Sequence, residues 1–182
     1  MSIPKHAKKV FKGKIFDVYQ WEQEMFDGTT ETFEGLTRLG SVQVLPIMGD
    51  KIMVAEEEQP TISKRIGLIG GVINEGESAL EGAKREMLEE TGYTAEHWKL
   101  YRERNLYNKM DWTISCFIAK NCTKVTEQRL DPGERIRTRL VSFDEFMEIL
   151  MHPDFRSKDL TLDILKLHYQ GKLDEFKKML FE

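Results

Sequence analysis

The sequence has few cysteines, no long apolar run and no excess of positive charge, and each shortage excludes a class of protein. Two cysteines among 182 residues do not form a disulfide framework, which is typical of a protein of the reducing cytoplasm. The longest apolar run, residues 42–48, is interrupted by Gln43 and Pro46 and is too short to span a membrane. A net charge of −4 does not suit a general nucleic-acid binder. We therefore expect a cytoplasmic protein with neither DNA nor a membrane as its partner.

The pattern of apolar residues predicts one α+β domain. A length of 182 residues with 40% hydrophobic residues is enough for one substantial core. Residues 14–36 alternate apolar and polar around Asp27-Gly28, which predicts a β-hairpin. Further strands are predicted at 41–46, 51–55, 66–73, 100–107, 113–119 and 135–141, and C-terminal helices after Ser142 and at 159–169 and 174–181. Strands, one helix, more strands and then helices indicate a layered α+β fold.

The helix between the two groups of strands has clear boundaries in the sequence. Residues 71–93 read GVINEGESALEGAKREMLEETGY. Ser78 and Glu81 stand in the S-x-x-E spacing of a capping box, which marks a helix start, and Gly92 is a natural stop. Leu80, Ala83 and Met87 share one side, which we expect to be buried.

Three carboxylates of this helix are predicted to lie together. Glu86, Glu89 and Glu90 are three and four residues apart, so we expect them on one exposed helical face. Like charges at this spacing repel each other unless a cation lies among them. Arg85, four residues before Glu89, relieves part of the repulsion, and a hard divalent cation bound by oxygen ligands would relieve the rest. A solvated acidic face is the alternative when the three glutamates are considered alone.

The whole segment fits a longer pattern, G-x5-E-x7-R-E-U-x-E-E-x-G-U, in which U is a bulky apolar residue. Every defined position from Gly71 to Tyr93 is filled, although Tyr93 stands where an aliphatic residue is more common. From average residue usage, a match at a given start arises by chance on the order of once in a billion. The pattern is the Nudix box, and the chain resembles the Nudix hydrolase family.

This resemblance implies a fold, a reaction and a metal. The fold is a mixed β-sheet sandwiched between helices, and the reaction is metal-dependent hydrolysis of a nucleoside diphosphate linked to another group. The cofactor it implies is Mg²⁺ or Mn²⁺. It implies that Glu86 and Glu90 are metal ligands, that Glu89 is a third ligand or positions the attacking water, and that the Gly70 carbonyl is a further ligand. Arg85 would orient the glutamates, and Glu77, the first glutamate of the box, would fix the loop.

The N-terminal hairpin resembles the extension of the ADP-ribose pyrophosphatase branch. This implies that residues 1–38 form a dimerisation and substrate-pocket extension and residues 39–182 the Nudix domain. We therefore expect a homodimer. A loop at residues 131–134 resembles the acidic loop of that branch, with Glu134 as a candidate catalytic base or metal ligand and Asp131 as an alternative. A Pro-Gly turn with solvated charges explains this loop equally well.

The sequence indicates the substrate less clearly. Lys64 and Arg65 are candidates for contacting a phosphate, and Phe16, with Tyr19 and Phe26, for stacking on a base, although solvation and core packing are common fates of such residues. Two features depart from the ADP-ribose branch. Residues 56–60 read EEEQP where that branch usually has an arginine. The branch also often has a proline some distance after the box, and residues 94–131 contain none. The alternatives are a hydrolase of nucleoside triphosphates or dinucleoside polyphosphates, and a non-catalytic Nudix-fold binding module. All box glutamates are present, which argues against the last.

Overall fold

The structure is a computed structural model and describes residues 3–105 and 107–182. It contains ten strands and four helices in these residues. The strands are β1 (Lys8–Lys12), β2 (Asp17–Glu24), β3 (Thr30–Thr37), β4 (Ser41–Met48), β5 (Lys51–Gln59), β6 (Ile62–Gly67), β7 (Tyr93–Asn105), β8 (Met110–Asp111), β9 (Thr113–Lys124) and β10 (Arg135–Val141). The helices are α1 (Ala79–Thr91), α2 (Phe143–Met151), α3 (Lys158–Tyr169) and α4 (Leu173–Phe181). Among these residues no helix is long and apolar enough to cross a membrane.

The central sheet has six strands in the order β10-β5-β4-β9-β7, with β6 also paired to β5. It is mixed, because β4 and β9 run parallel and its other paired strands run antiparallel. Successive side chains of a strand point to opposite faces. On β4, Val42 and Val44 therefore pack towards α1, while Leu45 and Ile47 pack towards α2, α3 and α4. A sheet between helices confirms the predicted α+β Nudix architecture.

The predicted helix caps are present. Ser78 Oγ accepts a hydrogen bond from Glu81 N, and the Glu81 carboxylate accepts one from Ser78 N at 2.9 Å, which completes a capping box. Gly92 ends α1 in a left-handed conformation, and its N–H donates to the Leu88 carbonyl at 2.8 Å. A second capping box begins α2 at Ser142. These local signals were therefore sufficient to predict where α1 and α2 begin.

The N-terminal residues form a separate four-stranded sheet in the order β1-β2-β3-β8. The predicted turn is confirmed, since Gly28 has φ 83° between β2 and β3. Trp21 is buried at 5% exposure and contacts Phe33, with 6.0 Å between ring centroids. The predicted strand start near residue 14 was wrong: Gly13 N donates to the Phe16 carbonyl in a turn, and β2 begins only at Asp17. Strands β1 and β8 were not predicted.

Three strand predictions needed correction. The predicted strand 66–73 stops at Gly67, because Gly70 has φ 138°, outside the β region, and the chain then leaves β5 to run beside β4. The strand predicted to end at residue 55 continues to Gln59, so residues 56–58 lie within β5. The strand predicted from residue 100 already begins at Tyr93, directly after the turn at Gly92.

Candidate active site

Arg85 holds three glutamates of the box together. Its Nη1 donates to Glu86 Oε1 and to Glu89 Oε2, both at 2.9 Å, and its Nε donates to Glu77 Oε1 at 2.9 Å. Its Nη2 also donates to the Val72 carbonyl. The hydrogen bond to Glu77, followed by the pairing with Glu86, raises the pKa of Arg85 above its usual value. Arg85 therefore contacts all three glutamates and partly offsets their repulsion, while its orienting role in the reaction stays a prediction.

Glu77 fixes the loop that precedes α1. Besides Arg85, its carboxylate accepts a hydrogen bond from the Asn74 backbone N–H at 2.8 Å. A Cβ added at Gly82 would lie 3.3 Å from Glu77 Oε2, so the glycine in the helix leaves room for this close carboxylate. The predicted loop-fixing contact of Glu77 is confirmed.

Glu90 lies in a buried position, which corrects the prediction of one exposed acidic face. Only 6% of Glu90 is exposed, and its Oε2 accepts a hydrogen bond from the Gly70 N–H at 2.9 Å. Ala83, Met87 and Glu90 stand at the four- and three-residue spacing of a helical stripe, and this stripe faces the core. Burial, with a smaller contribution from the charge of Glu86, raises the pKa of Glu90 to about 8, against the opposing effect of the Gly70 hydrogen bond.

The glycines before α1 bring the backbone against these carboxylates. A Cβ at Gly70 would clash with the Val42 carbonyl oxygen, and the φ of 138° is also one that only glycine adopts readily. A Cβ at Gly71 would lie 2.5 Å from Glu86 Oε1. Gly70 therefore needs glycine because the loop lies directly on the backbone of β4, and Gly71 because it lies directly on the Glu86 carboxylate.

The side chains around Glu90 fit a divalent cation. Throughout the described ranges, no three His, Cys, Asp or Glu side chains are already grouped as an ion would require, and Glu89 accepts a hydrogen bond from Arg85. Glu86 is only 14% exposed, and burial raises its pKa as well. A buried carboxylate pair is costly unless a cation compensates it, and hard cations prefer oxygen ligands. The Gly70 carbonyl oxygen already faces a cation, since Arg156 Nη2 lies 3.5 Å away.

Two residues of this site, Glu57 and Arg156, were missed by sequence reasoning. Glu57 continues the β5 face of Met53 and Ala55, which packs towards α1, and its carboxylate accepts a hydrogen bond from Arg156 Nη1 at 2.7 Å. Both are close enough to Glu90 to shift its pKa, Arg156 downwards and Glu57 upwards. The alternation of β5 would have indicated Glu57 if the strand had been extended past residue 55. No sequence signal pointed to Arg156.

Glu134 joins the same group of carboxylates. It lies just before β10 and is half-buried. Burial raises its pKa, the charges of Asp131 and Glu57 raise it further, and Glu134 in turn raises the pKa of Glu86. Asp131 is exposed and forms a turn with Glu134, whose N–H donates to the Asp131 carbonyl at 2.9 Å. Glu134 and Glu57 both line a cleft of about 380 Å³.

The candidates for substrate contacts lie in different places. Arg65 lines a small pocket together with Glu57 and Arg156. Lys64, its neighbour in β6, reaches the rim of the larger cleft but pairs with Glu56 at 2.7 Å. Adjacent residues of a strand point to opposite faces, so the two side chains reach different pockets.

The aromatic candidates belong to the N-terminal sheet and its junction with the domain. The Phe16 ring is covered by the Arg38 guanidinium at 5.5 Å, and the same guanidinium lies 4.5 Å from the Trp112 ring centroid. Tyr19 lies under Lys9, and Phe26 is fully exposed. None of the three is among the side chains that line the two pockets around Glu57.

Comparisons with known proteins agree with this geometry. The NUDIX domain family matches residues 37–160. An ADP-ribose pyrophosphatase of Bacillus subtilis (strain 168) is 28% identical over 149 residues, which cover 79% of this chain and 80% of that protein. The ADP compounds hydrolase NudE of Escherichia coli (strain K12) is 25% identical over 158 residues, covering 82% of each. The solved structure of an ADP compounds hydrolase has the same fold, with a TM-score of 0.73 and 22% identity over 92% of this chain and 95% of that one.

Proposed function

Because the chain belongs to the Nudix hydrolase family, we propose that it hydrolyses the pyrophosphate bond of ADP-ribose or a related nucleoside diphosphate sugar. The products would be a nucleoside monophosphate and a sugar phosphate. The observation that carries the proposal is the group of buried and half-buried carboxylates, Glu86, Glu90 and Glu134, at the glycine loop before α1. The names of both curated relatives point to ADP-linked substrates.

Glu86, Glu89, Glu90 and the Gly70 carbonyl are the proposed ligands of Mg²⁺ or Mn²⁺. When bound, such an ion neutralises phosphate charge and lowers the pKa of a water ligand. Arg85 keeps Glu86 and Glu89 in place through one nitrogen shared between the two carboxylates. Glu89 would have to turn away from Arg85 to act as a ligand, so its proposed role is ligand or water positioning.

Glu134 is the proposed catalytic base. Burial raises its pKa, and a carboxylate with a raised pKa is a better proton acceptor near neutral pH. It lines the larger cleft together with Glu57, and its charge is close enough to act on Glu86. Glu89 and the exposed Asp131 are the alternatives for this role. Exchange of Glu134 for glutamine should therefore lower kcat more than exchange of Asp131 for asparagine.

The substrate would meet the chain on both sides of the carboxylates. Arg65 is proposed to contact a phosphate from β6, since it lines the small pocket beside Glu57. Lys64 is proposed to do so at the rim of the larger cleft, after leaving its partner Glu56. Phe16 is proposed to contribute to the nucleoside pocket, supported by its position next to Arg38 and Trp112 at the base of the N-terminal sheet.

Residues 1–38 are proposed as an extension that forms a homodimer, and residues 39–182 as the hydrolase domain. The hydrophobic side chains of the first segment that remain exposed support this: Val10, Phe11, Ile15 and Phe26 are all more than half exposed. Exposed apolar surface of this kind often marks an interface. A cytoplasmic location is also proposed, and it is supported by two free cysteines, Cys116 and Cys122.

A nucleotide panel with and without Mg²⁺ or Mn²⁺ tests the proposed function. ADP-ribose should give AMP and ribose 5-phosphate only when the metal is present, and Glu90→Gln should abolish most of this turnover. Turnover of triphosphates or dinucleoside polyphosphates with inert sugar nucleotides would instead favour the second substrate class. Binding of nucleotides without turnover of any of them would indicate a non-catalytic module.

A further inference from the structure

Arg156 is held at one edge of the acidic site by contacts of its own backbone. Its N–H donates to the Ile66 carbonyl at 2.8 Å, and the Ile66 N–H donates to the Asp154 carbonyl at 3.1 Å. The residue between them, Phe155, is 1% exposed and packs in the core formed by α2, α3 and α4. The segment before α3 thus runs along the free edge of β6 like a short extra strand, and the position of Arg156 is fixed by the fold.

Gly67 leaves the space through which the Arg156 side chain reaches the site. A Cβ added at Gly67 would lie 3.6 Å from Arg156 Nε and 3.7 Å from Arg156 Cβ, so the arginine lies across the bare backbone of this glycine. The guanidinium then reaches Glu57 Oε2 at 2.7 Å and comes to 3.5 Å from the Gly70 carbonyl oxygen. Its side chain remains 35% exposed and lines the small pocket beside Glu57.

The contacts of Arg156 leave much of its hydrogen-bonding capacity unused. A guanidinium carries five N–H donors, and within the described ranges its side chain makes only these two hydrogen bonds, of which the one to Gly70 is long. Glu57 is also satisfied on its other oxygen, which accepts from Gln59 Nε2 at 2.7 Å. Arg65 lines the same small pocket, so two arginines from different segments lie around it together with Glu57.

A purely structural role does not explain this placement. An ion pair with one exposed partner stabilises a protein by about 1 kcal/mol or less. Yet the guanidinium contacts Glu57 and the carbonyl of Gly70, the same residue whose N–H binds the Glu90 carboxylate. A phosphate group that approaches these carboxylates therefore comes within reach of its free donors. Arginine is also the side chain best suited to bind phosphate oxygens through two donors at once.

We propose that Arg156 binds the diphosphate of the substrate, with its remaining guanidinium donors directed to phosphate oxygens at the edge formed by β6 and Gly70. This assignment rests on the proposed function for the identity of the substrate but not for the diphosphate itself. Binding of a cation at the Gly70 carbonyl would repel the guanidinium from that oxygen and free Nη2 for the phosphate.

Methylenediphosphonate is a suitable probe, because its P–C–P link has no phosphoanhydride to hydrolyse. Isothermal titration in the presence of Mg²⁺ measures its affinity for the wild type, Arg156→Gln and Arg156→Lys. Loss of a charge-assisted hydrogen bond should weaken binding roughly ten- to a hundred-fold in Arg156→Gln, with Arg156→Lys between the two. In parallel, KM for ADP-ribose should rise by a similar factor, with a smaller change in kcat.

Arg139→Gln is the matched control. Arg139 also pairs with a glutamate of β5, Glu56, at 3.5 Å, but it lies on β10 away from Gly70. This variant removes one positive charge near β5 and should leave diphosphate affinity within about two-fold of the wild type, as expected for a partly exposed ion pair. Mn²⁺ affinity, followed by electron paramagnetic resonance, should not fall in any variant, and it should rise in Arg156→Gln if the guanidinium and the cation repel each other at the Gly70 carbonyl.

Several results would overturn the assignment. The first is that Arg156→Gln binds methylenediphosphonate as tightly as the wild type does. The second is that Arg139→Gln loses as much affinity for the probe as Arg156→Gln does. The third is that the wild type does not bind the probe. A changed Mn²⁺ affinity that accounts for the loss would assign Arg156 to the metal site instead. If ADP-ribose is inert but the probe still requires Arg156, the assignment stands and only the proposed substrate is wrong. Thermal melting shows whether each variant is folded, and Arg156→Lys retains the charge if Arg156→Gln unfolds.

Discussion

Replacing Glu90 with glutamine should make the metal-free protein more stable and the enzyme much less active. Glutamine has nearly the same size and keeps an oxygen that can accept the hydrogen bond from the Gly70 N–H. It removes only the charge. Because Glu90 is 6% exposed, the charged form is the one that burial penalises.

The size of the effect follows from the pKa of Glu90, which burial raises from 4.5 to about 8. The folded state therefore binds this proton more tightly than the unfolded state. For metal-free wild type, the contribution of Glu90 to stability becomes less favourable as pH rises from about 4.5 to about 8 and is constant above that range. A shift of this size corresponds to a loss of roughly 5 kcal/mol at pH 9 and about 3 kcal/mol at pH 7. Glu90→Gln lacks this loss.

Urea denaturation in EDTA at pH 5, 7 and 9 measures the difference. Glu90→Gln should exceed the wild type by several kcal/mol at pH 9, and the gap should nearly close at pH 5. Glu89→Gln is the control, since Glu89 is 44% exposed and pairs with Arg85 at the surface, where such pairs contribute little. With Mg²⁺, loss of a ligand carboxylate should lower kcat of Glu90→Gln by several orders of magnitude. Equal stability of wild type and Glu90→Gln at pH 9, or full activity in saturating Mg²⁺, would refute the reasoning.

Three further changes have defined outcomes. Arg85→Lys should lower kcat at least ten-fold, because an ammonium group cannot bridge three carboxylates as the guanidinium does. Steady-state kinetics in Mg²⁺ measure this change, and an unchanged kcat would exclude an orienting role. Gly70→Ala should destabilise the fold by at least about 2 kcal/mol, since the added Cβ clashes with the Val42 carbonyl. Gly133→Ala, whose Cβ meets nothing nearer than 4.0 Å, should have little effect in the same urea titration. Deletion of residues 1–38 should yield a monomer or an aggregating protein with weaker nucleotide binding, and light scattering that shows a full-length monomer at micromolar concentration would contradict the proposed dimer.

The features that could be predicted from the sequence depend on residues close together in the chain. The capping box of Ser78 and Glu81 spans three residues, and the contacts of Arg85 with Glu86 and Glu89 span at most four. The hairpin turn at Gly28 depends on one left-handed residue. In each case the partner groups are brought together by the local backbone, whatever the rest of the fold does.

The features that were missed depend on contacts between distant segments. Glu57 and Arg156 are 99 residues apart and meet only because the segment before α3 pairs with β6. Strand β5 was ended too early because consecutive glutamates are unfavourable in a strand by propensity. Basic partners across the sheet compensate them, since Glu56 pairs with Lys64 and Glu58 with Arg135. The burial of Glu90 could not be predicted for a related reason. The spacing of the three carboxylates along α1 is the same whether that face of the helix is solvated or covered by other segments.

The charges of the site explain why it needs a cation before it can bind a phosphate. Five carboxylates are linked by a shared arginine or by the effect of one charge on another: Glu57, Glu86, Glu89, Glu90 and Glu134. Glu86 and Glu89 pair with Arg85, and Glu57 pairs with Arg156. Neither arginine forms a hydrogen bond with Glu90 or Glu134 in the described part of the chain. With all five ionised, the group carries more negative than positive charge, and an anionic diphosphate would be repelled. Of the two carboxylates without an arginine partner, Glu134 is half-buried and Glu90 is buried, and beside Glu90 a compact divalent ion would be little screened by water and strongly held. The arginines compensate Glu57, Glu86 and Glu89, and the charge that they leave uncompensated is the part to which we propose the metal binds.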